Sequence, residues 1–290
     1  MSAALTFSLS GAETLRTPAF DARRAFTHLE RQAAFGPRVP GTKAHEDARG
    51  WIVGRLRENT PNVTVQPFRG VFGGREAEMT NILASFFPEN TRRVILCAHW
   101  DSRHHADRDP DPARRLEPVP GANDGASGVA VLLEIARIIV RNKPPVGVDI
   151  VLFDGEDGGS YGSDDTWLLG SRHFARVMPV SYRPLYAILL DMVGDRDLSL
   201  TRDTVSAGNA PELWGRIVTQ CGRLGIPFRP GETGVLDDHV PLIERGIPAA
   251  DLIDFDYPWW HTVSDTPDKC SAESLGRIGA LVLSIIYGIH

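Results

Sequence analysis

The sequence predicts an α/β fold, a single domain with a mixed, mostly parallel central sheet and helices on both faces. Three observations lead there. Short, continuously apolar runs such as Val94-Ile95-Leu96-Cys97 and Ile150-Val151-Leu152-Phe153 read as strands covered on both sides. These runs alternate with segments of helical periodicity, the pattern of a wound sheet. A chain of 290 residues, 42% hydrophobic and 23% charged, fits one globular unit. That unit is taken as residues 21–290, after an N-terminal extension of residues 1–20.

In chain order, helical spacing covers 21–35 (Phe26, Leu29) and 43–58 (Trp51, Ile52, Leu56). Gly36-Pro37-Arg38-Val39-Pro40-Gly41-Thr42 between them is a breaker cluster, with Thr42 placed to cap the second helix. Strands are expected at 62–68, 81–86, 94–99, 149–153, 186–190 and 250–253, from β-branched and apolar runs bounded by turn residues. Helices are expected at 126–140, 168–177, 211–224, 239–245 and 272–289. The polar loop 104–120 and the glycine-rich loop 158–165 fall where such sheets bind ligands, outside the carboxyl ends of the strands.

Composition excludes several classes. The net charge of −6 gives no electrostatic reason to hold nucleic acid or an anionic membrane. Three cysteines without a CxxC pair make no disulfide framework. No apolar run reaches the length of a membrane span. The first residues, MSAALTFSLSGAETLRTP, lack a basic leader and make a poor signal peptide. The compartment is therefore open: cytoplasmic, or secreted or periplasmic if a signal has been removed.

The chemistry sits at strand ends. Apolar runs lead into His99 and Asp101 in VILCAHWDS, Glu156 and Asp157 in IVLFDGED, and Asp191 in AILLDMVGD; Asp124 lies in GANDGASG and His261 in WWHT. Two imidazoles and several carboxylates gathered at one end of a sheet would suit zinc better than calcium or magnesium. Each residue also has a plainer reading. Asp124 could cap a helix, although Gly125, Ala126, Ser127 and Gly128 leave more room than a cap requires. Glu156-Asp157 could be a solvated acidic turn, yet adjacent ionised carboxylates favour a nearby cation. His261 beside tryptophans could be packing. His99-Trp100-Asp101 could be a ligand with its orienting carboxylate, and Asp237-Asp238-His239 an acidic helix start. His28, His45, His104, His105, His173 and His290 lack comparable surroundings and read as surface or core.

AHWDS, GANDGASG, LFDGEDGG, LLDMVGD and WHTVSDTPDK, in that order, resemble the zinc aminopeptidase and glutaminyl cyclase family. The resemblance runs from Gly36-Pro37-Arg38 to the last helix. It implies that Asp124, Asp157 and His261 hold the zinc common to all members and that Glu156 is the general base. In the aminopeptidases His99 and Asp191 would complete a second zinc shared through Asp124. In the cyclases one zinc is held, and Asp191 and Asp237 would share hydrogen bonds with Glu156. DDHVPLIERGIPAADLI, Trp260 before His261, and GSRHFA are closest to the glutaminyl-peptide cyclotransferases. Those enzymes convert N-terminal glutamine of peptides or proteins to pyroglutamate with release of ammonia. Trp260 would line the substrate pocket; Tyr161, and next Trp167, are nearest to the aromatic that covers the substrate. The chain departs from the animal cyclases in carrying Asp157 where they carry Glu, and in lacking their disulfide. A non-catalytic scaffold of this fold, the remaining reading, would be expected to have lost ligands.

Overall fold

The computed structural model describes residues 16–289; most of the expected N-terminal extension (residues 1–15) and His290 lie outside the described residues. Helix α1 (Ala22–Ala33) begins where the Asp21 carboxylate accepts the Arg24 amide, and α2 (Lys43–Arg57) where the Thr42 hydroxyl accepts that of His45. Strands β1 (Val63–Phe72) and β2 (Arg75–Phe86) form a hairpin over Gly73-Gly74. Both glycines have positive φ, the conformation that a two-residue hairpin turn demands. There follow β3 (Arg93–His99), α3 (Ala126–Arg141), β4 (Gly147–Phe153), α4 (Leu169–Val177) and β5 (Ala187–Asp191). The chain continues through α5 (Thr204–Asn209), α6 (Pro211–Leu224), α7 (His239–Glu244), β6 (Ala249–Ile253) and α8 (Ala272–Tyr287).

The sheet order is β1-β2-β4-β3-β5-β6. Strands β4, β3, β5 and β6 are parallel, while β1 and β2 add an antiparallel edge. The apolar runs divide by parity, as the two-residue period of a strand requires. Leu96, Ala98, Ile150, Leu152, Ile188 and Leu190 face one core, shared with α1, α3 and α8. Ile95, Cys97, Val151, Phe153, Ala187 and Leu189 face the other, beneath α4 and α7. Each fully buried leucine or isoleucine contributes roughly 2 kcal/mol of hydrophobic stabilisation.

The chain leaves β3 through α3 to reach β4 on one side, then crosses through α4 to β5 on the other. The strand order therefore reverses between β3 and β5. At such a point the loops diverge to opposite faces and open a crevice at the carboxyl ends.

One expected boundary needs correction, and two of the plainer readings fall away. Strand β2 starts at Arg75 rather than at 81, because the charged stretch 75–80 pairs with β1 in an arm that reaches past the sheet. Asp124 does not cap α3: the cap residue is Gly125 and no side chain bonds there. Asp238 flanks α7 without capping it, its carboxylate being engaged by the Ser171 hydroxyl instead. Helix α5, unread in the sequence, is started by Asp203, whose carboxylate accepts the Val205 and Ser206 amides.

Candidate metal centre

His99 is the last residue of β3 and Asp191 the last of β5. Asp154-Gly155-Glu156-Asp157 turns away from the end of β4, and His261 lies on the loop after β6. Asp124 sits on the loop that enters α3. That loop passes so close to β3 that a Cβ on Gly125 would lie 2.5 Å from His99 Cε1, so only glycine fits there. Asp265 holds the same loop from the other side, its carboxylate accepting the Asn123 amide at 2.8 Å and the Asp124 amide at 3.2 Å. The Tyr257 hydroxyl fixes Asp265 in turn at 2.8 Å. Buried Arg38 donates to the carbonyls of Trp100, Pro120 and Gly121, tying the start of the loop to the end of β3.

Two donor groups result, sharing Asp124: His99–Asp124–Asp191 and Asp124–Asp157–His261. All five residues are buried. In each group the ligand atoms lie within 4.8 Å of one another. His99 Nε2 is 3.0 Å from Asp124 Oδ1 and 3.1 Å from Asp191 Oδ1. His261 Nε2 is 3.1 Å from Asp157 Oδ1 and 3.6 Å from Asp124 Oδ2. The groups differ in one respect. Asp124 Oδ2 and Asp157 Oδ2, both on the His261 side, are buried without a hydrogen-bond partner. A buried carboxylate oxygen without a partner is costly, and a divalent cation relieves that cost. Imidazole with carboxylates is a donor set that borderline divalent metals accept.

The electrostatics agree. Burial opposes protonation of His261, but Asp157, Asp107 and Asp124 outweigh it and raise its pKa to about 10. Burial likewise opposes protonation of His99, and Asp101, Asp124 and Asp191 overcome it. Protons on the imidazoles and a divalent cation are alternative ways to neutralise the same anionic nest.

Glu156, Asp191, Asp237, Trp260, Tyr161 and Trp167 all line one cleft of about 180 Å³ beside these donors. Burial, with Asp157, Asp237 and Asp238 nearby, pushes the Glu156 pKa well above the usual carboxylate range against the pull of His99. Burial, Asp191 and Asp238 do the same to Asp237. The expected hydrogen bonds from Asp191 and Asp237 to Glu156 are not formed among the described residues. Asp191 turns to His99, and Asp237 accepts the Asp238 amide with one oxygen while its other oxygen is buried without a partner. Asp101 sits 3.5 Å from His99 Nδ1 and accepts the Glu156 and Asp157 amides, both at 3.2 Å. Trp167 lies parallel to the His261 ring, and Tyr161 Oη is 3.0 Å from His261 Nδ1.

A family model described as "Peptidase family M28" matches residues 81–286, the span that carries every donor above. The chain belongs to peptidase family M28. Among solved M28-like structures, a Bacteroides thetaiotaomicron glutaminyl cyclase bound to N-acetylhistamine superposes with a TM-score of 0.90 at 34% identity. The match covers 95% of this chain and all of that one. A Zn-dependent exopeptidase from Parabacteroides distasonis gives 0.87 at 36%, covering 94% and 100%. The Bos taurus glutaminyl-peptide cyclotransferase is 25% identical over 280 residues, 83% of this chain and 76% of that protein. Similarity thus reaches both the cyclase and the exopeptidase branches, and the M28 chain is an enzyme of one of these two types. No helix among the described residues is long and apolar enough to cross a membrane.

Sequence reasoning missed Arg38, Tyr257, Asp265, Arg103 and Asp107. Arg38, Tyr257 and Asp265 act on the donors through backbone or second partners, whereas Arg103 and Asp107 lie directly against Asp157 and His261. Arg38, Asp107 and Asp265 fall inside segments already singled out, while Arg103 and Tyr257 do not.

Proposed function

We propose that this chain is a zinc-dependent glutaminyl-peptide cyclotransferase acting on the N-termini of peptides or proteins, with residues 21–290 as its catalytic unit. The supporting observation is the asymmetry of the two donor groups. In both groups carboxylate oxygens face the imidazole Nε2, but the two donor carboxylate oxygens left buried without a hydrogen-bond partner, Asp124 Oδ2 and Asp157 Oδ2, are both on the His261 side. That favours one zinc, held by Asp124, Asp157 and His261. Zinc bound there supplies Lewis acidity toward an amide carbonyl.

The side chains account for the rest. Glu156 lines the cleft beside the donors, and its raised proton affinity suits a group that must both take and return a proton. In the reaction the substrate α-amine attacks the side-chain amide carbon of glutamine and a C–N bond forms. The amide C–N bond breaks. Glu156 takes a proton from the amine and delivers it to the departing ammonia. Asp237, on the same wall, helps keep that proton on Glu156 by repelling its anionic form, together with Asp157 and Asp238, while Asp191 is turned to His99. Trp260 bounds the small space in which the ring closes, and Tyr161 and Trp167 cover it. A cleft of about 180 Å³ suits one terminal side chain rather than a long stretch of peptide.

The second donor group favours a second reading, an aminopeptidase with His99 and Asp191 holding another zinc. In that case Glu156 would accept the proton of an attacking water. One paired assay separates the two. The cyclase reading expects one zinc per chain by elemental analysis and ammonia release from glutaminyl peptides. Two zincs with hydrolysis of leucine anilides and no ammonia release would replace it with the aminopeptidase. A chain with no zinc and neither activity would be a scaffold.

A further inference from the structure

Arg103 is only 2% exposed, although it lies in an irregular segment between β3 and α3. One edge of its guanidinium donates to the Asp157 carbonyl at 3.0 Å, to Asp157 Oδ1 at 3.3 Å and to the Gly159 carbonyl at 3.3 Å. The other edge grips Asp107: Nε lies 3.1 and 3.2 Å from the two carboxylate oxygens, and Nη2 is 2.5 Å from Oδ2. Trp167 stacks on the guanidinium at 4.7 Å. Held in this way, Asp107 places Oδ1 3.5 Å from His261 Nδ1, the nitrogen that faces away from Asp124 and Asp157. Tyr161 Oη is nearer, at 3.0 Å. Tyr161, however, is 53% exposed on a glycine-rich turn, with a hydrogen bond from exposed Arg108.

We infer that Asp107, clamped by Arg103, is the positioning residue for His261, and that Tyr161 serves the substrate instead. A bidentate arginine–carboxylate pair is rigid and directional, which a surface phenol is not. A carboxylate behind an imidazole keeps Nδ1 protonated and turns the Nε2 lone pair toward the site. Asp101 stands to His99 as Asp107 stands to His261, each 3.5 Å from Nδ1. The same guanidinium also fixes Asp157, so a single support orients two of the three proposed zinc donors. The His261 backbone, at φ 55°, is in the left-handed region and needs outside support. The 103–108 segment supplies some of that support directly, since the Arg108 amide donates to the His261 carbonyl at 3.1 Å.

The inference rests on the zinc reading, and the test separates the two. Zinc affinity is measured by chelator competition on wild type, Asp107→Asn and Tyr161→Phe, with circular dichroism and melting of the zinc-free proteins as fold controls. Asp107→Asn is expected to bind zinc about 10- to 100-fold more weakly with the zinc-free fold unchanged. Tyr161→Phe is expected to keep its zinc affinity and raise KM. Asp107→Glu, which restores the carboxylate on a longer arm, should recover part of the loss; it also stands in if the asparagine variant folds poorly. Wild-type zinc affinity in Asp107→Asn, or a larger loss in Tyr161→Phe, overturns the inference alone. Absence of zinc binding by the wild type overturns both it and the zinc reading.

Discussion

At the scale of single residues, Glu156 tests the chemistry most sharply. It lines the cleft but belongs to neither donor group. Glu156→Gln preserves shape and removes the proton carrier. Turnover should fall about a hundred- to ten-thousand-fold, while zinc per chain stays at the wild-type value. Turnover near wild type would remove Glu156 from the mechanism. Glu156, Asp157 and Asp191 of this cleft, like His99 beside it, were legible in the sequence because they follow apolar runs, and a strand that ends in a carboxylate or an imidazole marks itself. Arg103 and Asp107 were not legible. They lie in a loop crowded with arginine and aspartate, where no periodicity separates one charge from the next. Arg103 is joined to the donors by a partner 54 positions away. Asp265 was visible only as part of a motif. That it holds the Asp124 loop by two amides follows from tertiary packing alone.

At the scale of elements, the site depends on how closely α3 approaches the sheet. Gly128, in the first turn of α3, lies against β5 and β3. An alanine Cβ there would be 2.9 Å from the Ala98 methyl and nearer still to the Leu190 carbonyl oxygen. Helix propensity alone would make Gly128→Ala stabilising by about 1 kcal/mol. Overpacking against a fixed backbone opposes this by about 1–3 kcal/mol, and the carbonyl of a central strand has nowhere to move. Net destabilisation is expected, read as a lower urea midpoint. Zinc affinity should weaken with it, since Asp124 lies just ahead of this turn. A higher midpoint would show that α3 can shift without cost. The elements themselves were largely legible, because both faces of the parallel strands are buried and their runs are continuously apolar. The hairpin arm was the exception. Residues 75–80 carry three charges, at Arg75, Glu76 and Glu78, and what makes them a strand is pairing with β1 and the packing of Met79 with Phe68 and Phe72, neither of which produces a local pattern.

At the scale of the whole molecule, the anionic nest links stability to pH and metal in a predictable direction. Burial, aided by Asp124, raises Asp265 from 3.8 to about 7, and burial raises Asp238 to about 7 against its bond from Ser171. His261, raised from 6.5 to about 10 by Asp157, Asp107 and Asp124 against the effect of burial, behaves alike. In each case the folded protein binds a proton that the unfolded chain has released. Stability therefore falls as pH rises, between about 4 and 7 for the two carboxyls and between about 6.5 and 10 for the imidazole. Chelator-treated protein should thus melt at a lower temperature at pH 8.5 than at pH 5.5. Zinc reverses the slope, because its donors bind best when deprotonated. The gap in Tm between zinc-loaded and chelated protein should widen from pH 5.5 to pH 8.5, and melting curves of both forms at the two pH values measure it. A chelated protein that becomes more stable with rising pH would mean that these carboxyls are paired in some other way, and that the charge at the mouth of the sheet does not await a cation.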